Sequence, residues 1–319
     1  MNKIGVLLVV LFLLISCKEE KVNAIDVSNI EVAVEIDRFD QKFYNSDSFS
    51  LSELKSEYPY LFPAQNHDSI WIQKRNDIDE NKLFKKADNI FSDNAKLEQE
   101  FESLFKHIKY HFSNFESPKI VTLISNVDYE SKVIYADSLM LVSLDMYLGK
   151  GDEVYSDFPA YLSNNYKESQ LIVDAAIEIS TRYYMSKPQR QFINSVISEG
   201  KKLFLLDVFL PETSDENKIG YLIEELNWAK ANEKEIWKYF VDNKLLFSTE
   251  PKLNTRFINN APFSKFYMDL DKDSPGRIGV WLGWQIVRSY MNNNNVTLHQ
   301  LLQLDEQELY KNSKYKPKK

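Results

Sequence analysis

The chain has one cysteine, Cys17, in 319 residues. No intramolecular disulfide can therefore form, and neither a cysteine zinc finger nor an iron–sulfur site can be assembled. Whatever structure forms must rest on apolar burial, and the chain is long enough to bury a sizeable core. Hydrophobic residues make up 44% and charged residues 27%, a globular balance that excludes disordered, collagen-like and polytopic membrane classes. Only 8 glycines and 10 prolines are present, too few for a glycine-rich nucleotide binder or for long flexible linkers. Aromatics reach 13%, which predicts large aromatic packing layers. With 47 acidic residues against 39 basic ones, the net charge of −8 offers nucleic acid no overall attraction, and no nucleic-acid partner is expected.

Cys17 also closes an apolar run. Residues 4–15 are all apolar or glycine, and Lys3 precedes them. At helical rise this run covers about 18 Å, well short of the roughly 30 Å hydrocarbon core. It reads as the h-region of a signal peptide over residues 1–16. Residues 14–17, L-I-S-C, resemble a bacterial lipobox, which implies cleavage before Cys17 and its acylation by chains such as palmitate. Membrane lipid is then the first expected partner, since two or three acyl chains anchor stably where one does not. Residues 17–29 become a lipidated tether. Lys18, Glu19 and Glu20 are similar to the surface-export signal of Bacteroidetes lipoproteins, although a solvated tether accounts for them equally.

Residues 30–310 read as a single α+β domain, predominantly helical with a small β-sheet, followed by a frayed basic tail at 311–319. Ile30, Val32, Val34 and Ile36 alternate with polar residues, which predicts a strand over 30–39. Ser50 and Glu53 form a capping-box pattern. Leu83, Phe84, Ala87, Ile90 and Phe91, then Leu97, Phe101, Leu104, Phe105, Ile108 and Phe112, lie at helical spacing. Segments 119–125, 132–136 and 138–147 are β-branched and aromatic, which predicts the sheet. Helices dominate from 158 onward. One is expected over 170–184 and one over 188–199, ending at Gly200 as a C-cap. An apolar segment follows over 201–210, and Asn232 and Glu235 open a further helix. Ser274-Pro275 suits an N-cap with proline at the first helical position, opening a helix to 290. Thr297 and Gln300 form another capping box.

Fingerprints of common chemistries are absent: no Walker loop, no G-x-G-x-x-G after a strand and no G-x-S-x-G elbow. His107 and His111 share a helix face, yet position 108 is Ile108 where a zincin needs its glutamate base. The alternative places both on the helix edge near its C-terminus, where positive charge is favoured. No metal, cofactor or catalytic residue is assigned. Asp174 and Glu178, four apart, either flank an apolar stripe in solvent or form a buried acid–base pair. Segment 274–290, S-P-G-R-I-G-V-W-L-G-W-Q-I-V-R-S-Y, holds three of the eight glycines and two of the five tryptophans. Gly276, Gly279 and Gly283 would line one face, and the close approach of another backbone would explain them. Arg277, Gly279, Trp281, Gly283, Trp284 and Arg288 thus mark a packing or partner-contact helix.

These residues also carry a family resemblance. The lipobox at Cys17, the stretch 122–149 (T-L-I-S-N-V-D-Y to S-L-D-M-Y-L-G), Trp228 with 232–239, the stretch 256–267 (R-F-I-N-N-A-P-F-S-K-F-Y) and the helix at 274–290 together resemble the gliding-motility lipoprotein GldB family of Bacteroidetes. The resemblance implies a cell-envelope lipoprotein required for gliding, linked to type IX secretion, with other gliding or secretion machinery proteins as partners. The glycine helix is also similar to one in predicted H-E-x-x-H zinc peptidases, which would make the scaffold a degenerate, zincin-like one. Its metal helix would fall at 171–183, where no histidine stands. The expected role is therefore non-enzymatic, through protein contacts. An envelope hydrolase or peptidase using Asp174 and Glu178, and a glycan or peptide binder using Trp71, Trp281 or Trp284, remain as alternatives.

Overall fold

The computed structural model describes residues 25–45, 49–268 and 271–318. Cys17, the lipobox and the Lys18-Glu19-Glu20 motif lie outside the described residues.

The sheet has four strands, β1 (Glu35–Asp37), β2 (Lys119–Leu123), β3 (Val133–Ala136) and β4 (Leu139–Ser143), in the order β1-β2-β4-β3. β2 runs parallel to β1 and to β4, while β3 and β4 form an antiparallel hairpin. That hairpin turns over Asp137 in the left-handed region (φ 53°), which aspartate tolerates. Ile120, Val121 and Thr122 of β2 are all fully buried. A continuous rather than alternating buried run is what a parallel strand covered on both faces requires. The strand expected over 30–39 is shorter. Val32 and Val34 pack half-buried against the core, but β2 begins at Lys119 opposite Glu35, so only 35–37 find a partner.

Among the described residues, five α-helices separate β1 from β2: α1 (Phe39–Tyr44), α2 (Leu51–Glu57), α3 (Asp68–Asn76), α4 (Ile78–Ile90) and α5 (Asn94–His111). Ser50 and Glu53 cap α2 reciprocally. Leu83, Phe84 and Ala87 of α4 and Leu97, Phe101, Leu104, Phe105 and Ile108 of α5 are the buried faces, at the spacing read from sequence. After the sheet come α6 (Ala160–Ser163), α7 (Glu168–Tyr183), α8 (Phe192–Phe209), α9 (Asp215–Ile219), α10 (Ile223–Ala231), α11 (Glu233–Asp242), α12 (Lys252–Phe257), α13 (Ile278–Asn293), α14 (Leu298–Gln303) and α15 (Glu306–Asn312). One apolar cluster joins residues from Phe39 to Leu309. The chain is thus mostly helical with a small mixed sheet, an α+β fold.

The crossing of α8 and α13 corrects two sequence readings. Gly200 does not end a helix; α8 runs through it. A Cβ at Gly200 would lie 2.3 Å from the carbonyl carbon of Gly283, and one at Gly283 would lie 1.9 Å from the Val196 carbonyl oxygen. The two backbones touch, and only residues without a Cβ permit it. Gly276 and Gly279 face other backbones, the carbonyls of Ala261 and Phe257. The glycines of this segment therefore serve three separate approaches rather than one face. α13 also begins later than expected. Ser274 is no N-cap: its hydroxyl donates to the carbonyls of Ser264 and Asp271. The buried Ser264 hydroxyl instead accepts from the Ile278 N–H, a cap supplied from outside the helix.

The basic tail is tied down as far as Tyr315, and so is not frayed there. Ser313 is buried. The Tyr315 hydroxyl donates to Glu233 at 2.7 Å, and its ring packs edge-on against Trp237.

Candidate functional site

A cleft of about 870 Å³ opens between the approach to β3, α7, α8 and the loops flanking α9 and α13. Its upper rim is set by an unusual turn. Asn126 and Val127 both lie in the left-handed region (φ 62° and 61°), which is costly for a β-branched residue. The fully buried Asp145 carboxylate holds the turn, accepting from the N–H groups of Ser125 (2.9 Å) and Val127 (2.6 Å) and from the Ser125 hydroxyl. Burial pushes the Asp145 carboxyl up against the pull of those donors. The turn delivers Tyr129, Glu130 and Lys132 to the cleft.

On the facing wall stands α7. Its buried Asp174 accepts from Lys132 Nζ at 2.5 Å and from the Tyr147 hydroxyl at 3.0 Å. Tyr147 has no exposed surface. Burial first, and the Asp174 charge second, raise its hydroxyl well above the ordinary range, so it stays a donor. Glu178, one turn further along α7, also lines the cleft. Burial, and then repulsion from Asp174, raise its carboxyl, while Lys132 opposes the rise. Burial takes Tyr166 up to about 12. Gln170, 4% exposed, donates to the Asn217 carbonyl, and its Oε1 has no hydrogen-bond partner. On the opposite rim Arg277 donates to the Ile219 carbonyl, and Tyr221 donates to the Gly276 carbonyl at 2.6 Å. Phenols, amides and charges of both signs thus stand among apolar residues such as Val133, Ile177 and Leu206 in this cleft.

Of the residues read from the glycine helix, only Gly276 and Arg277, at its start, reach the cleft. Trp281 and Trp284 are 1% and 0% exposed, which removes them as exposed ligand-binding aromatics. Gly279 and Gly283 lie inside the packing. Arg288 is saturated by this chain, donating to Asp207 and Asp215 at 2.7–2.8 Å while its guanidinium lies 3.7 Å over the Trp284 ring. The Trp284 indole and Lys218 also reach Asp207. Burial raises Asp215, but Arg288 outweighs it and holds that carboxyl below the usual range. The network is structural. Trp71 is half-buried, edge-on to Phe62.

The histidines make no metal centre. His107 is buried with Nδ1 on the Ser103 carbonyl at 2.8 Å. His111 is not the helix-end cation of the sequence reading. Burial, with His107 and His299 nearby, lowers it to about 4, so it is neutral. Among the described residues no group of three or more His, Cys, Asp or Glu could hold a metal ion. In α7, where a zincin-like scaffold would place its ligands, Asp174 is bound to Lys132 and Tyr147. Nothing in the fold supports that scaffold.

Lys132, Tyr147, Tyr166 and Gln170 escaped the sequence reading as site residues. Lys132 and Asp174 are 42 positions apart, and no spacing pattern links them.

Among the described residues no helix is long and apolar enough to cross a membrane. Comparison with curated proteins and with solved structures gives no match. The family described as gliding motility protein GldB, by contrast, matches residues 20–317, nearly the whole chain. The match takes in the Asp145-held turn, the Lys132–Asp174 wall and the α8–α13 crossing together, and the chain belongs to the gliding motility protein GldB family.

Proposed function

We propose that this chain is a lipoprotein anchored through acylated Cys17 that serves gliding motility without catalysis, by contacting other envelope proteins. The family match over residues 20–317 supports the gliding-motility part of this reading, and the lipobox pattern at Cys17 supports the anchor. The chemistry of the cleft agrees with it. Asp174 Oδ2 already accepts from Lys132 and Tyr147, which commits that oxygen to holding the wall of the cleft together. The link to the secretion apparatus rests on the resemblance alone. The test is gliding of a clean deletion strain complemented with the wild type or with Cys17→Ala. Only the wild type should restore spreading; normal gliding of the deletion strain overturns the reading.

One observation favours a second reading, an envelope hydrolase. Glu178 is held toward its protonated form beside Asp174 in an open cleft, as an acid–base pair requires. Complementation with Glu178→Gln separates the two. Undiminished gliding supports the contact role, and abolished gliding in a normally folded variant supports chemistry.

A further inference from the structure

A second cavity, of about 230 Å³, lies against α3 and is lined by Leu51, Trp71, Ile72, Arg75 and Asn76. Its polar lining is unbalanced. Trp71 Nε1 and Arg75 Nε and Nη2 are closed to water and have no hydrogen-bond partner among the described residues. Arg75 is anchored only by a 3.3 Å bond from Nη1 to the Phe49 carbonyl, with its guanidinium 5.2 Å from the Phe43 ring. Buried donors are almost always paired, so three together on one cavity need an explanation. Burial lowers the Arg75 pKa, and no carboxylate offsets it. None of the α3 residues is fully buried, and Ile72, on the rim of the cavity, is 53% exposed.

We propose that this cavity receives a carboxylate side chain of a partner protein, presented beside an apolar residue that covers Ile72. Three donor nitrogens and a single positive charge match the oxygens and the single charge of a carboxylate. A phosphate dianion would leave a net charge against Leu51 and Ile72. The Arg75 head sits at the end of a flexible stem, and a small swing from the Phe43 face brings its free edge to the acceptor. Apolar surface around a charged anchor is the anatomy of a protein contact. The inference rests on the contact role proposed above and gives that role a location.

The experiment uses the full acylated chain in detergent micelles and follows the indole N–H resonance of Trp71, assigned with Trp71→Phe. The probes are acetyl-Leu-Glu-Leu-amide, its glutamine analogue and sodium acetate. The glutamate peptide should shift the resonance saturably, at least tenfold more tightly than the glutamine peptide or acetate, and Arg75→Gln should abolish the shift. The Trp281 and Trp284 resonances, buried in the core, must stay unmoved as evidence of an intact fold. Equal response to both peptides, no response, or acetate binding as tightly as peptide overturns the proposal. A deletion strain that glides normally would remove the motility role and leave these titrations standing, so the two failures are distinguishable.

Discussion

Alanine at Gly283 tests the central packing claim. Its Cβ would lie 1.9 Å from the Val196 carbonyl oxygen and 2.6 Å from the carbonyl carbon. Those are backbone atoms of α8, so no rotamer change relieves the contact. The deficit from ordinary van der Waals separation is roughly 1.5 Å, enough to forfeit a large part of the dispersion energy between two packed helices. Overpacking costs about 1–3 kcal/mol where side chains can yield, and with backbone on both sides we expect roughly 3–5 kcal/mol. Alanine's better helix propensity returns about 1 kcal/mol. The net loss is then about 2–4 kcal/mol, read as a drop of roughly 1 M in the urea midpoint at unchanged slope.

Gly279→Ala is the internal control. Its Cβ meets the Phe257 carbonyl oxygen at 2.9 Å, a milder conflict against α12 and away from the α8–α13 crossing. Propensity and overlap should nearly cancel there, leaving a change within about 1 kcal/mol of zero. If Gly283→Ala unfolds no more easily than Gly279→Ala, the α8–α13 backbone contact is not what the glycines are for.

Three further outcomes follow from the charged interior. His111 is lowered from 6.5 to about 4, so the unfolded chain takes up its proton first. Its contribution is therefore fully present above pH 6.5 and lost as pH falls toward 4. Allowing for partial exposure, stability should drop by about 1–2 kcal/mol from this residue between pH 7 and 5, and His111→Phe should flatten that slope in chemical denaturation. Arg288→Met leaves Asp207, 1% exposed, with only Lys218 and the Trp284 indole. The loss should be about 3–5 kcal/mol by urea unfolding, and a loss under 1 kcal/mol would refute the structural role. Asp145→Ala removes the acceptor that holds Val127 left-handed, so amide exchange at Ser125 and Val127 should accelerate at least tenfold while β2 stays protected.

The difference between what was legible in the sequence and what was not is one of range. The faces of α4 and α5, the capping boxes at Ser50 and Thr297, and the sheet segments at 119–143 are local, set by spacing within a few residues, and they stand where the pattern placed them. Gly200 shows how a correct local rule can mislead. Glycine near the end of an apolar run is a stop signal, but here the missing Cβ answers a backbone 83 positions away, and α8 continues. Ser274-Pro275 fails for the same reason: the cap of α13 is Ser264, out of register with any capping pattern. The cleft was least legible of all. Asp174 reads as a stripe-flanking carboxylate until β3 brings Lys132 across to it, and Tyr147 looks like one more aromatic until its hydroxyl is found on the same oxygen. A buried carboxylate whose partners come from separate elements leaves no periodic trace, because each partner meets its own strand's or helix's pattern. The same holds for Trp71 and Arg75: only the surroundings show that three of their donor nitrogens have nothing to bind among the described residues.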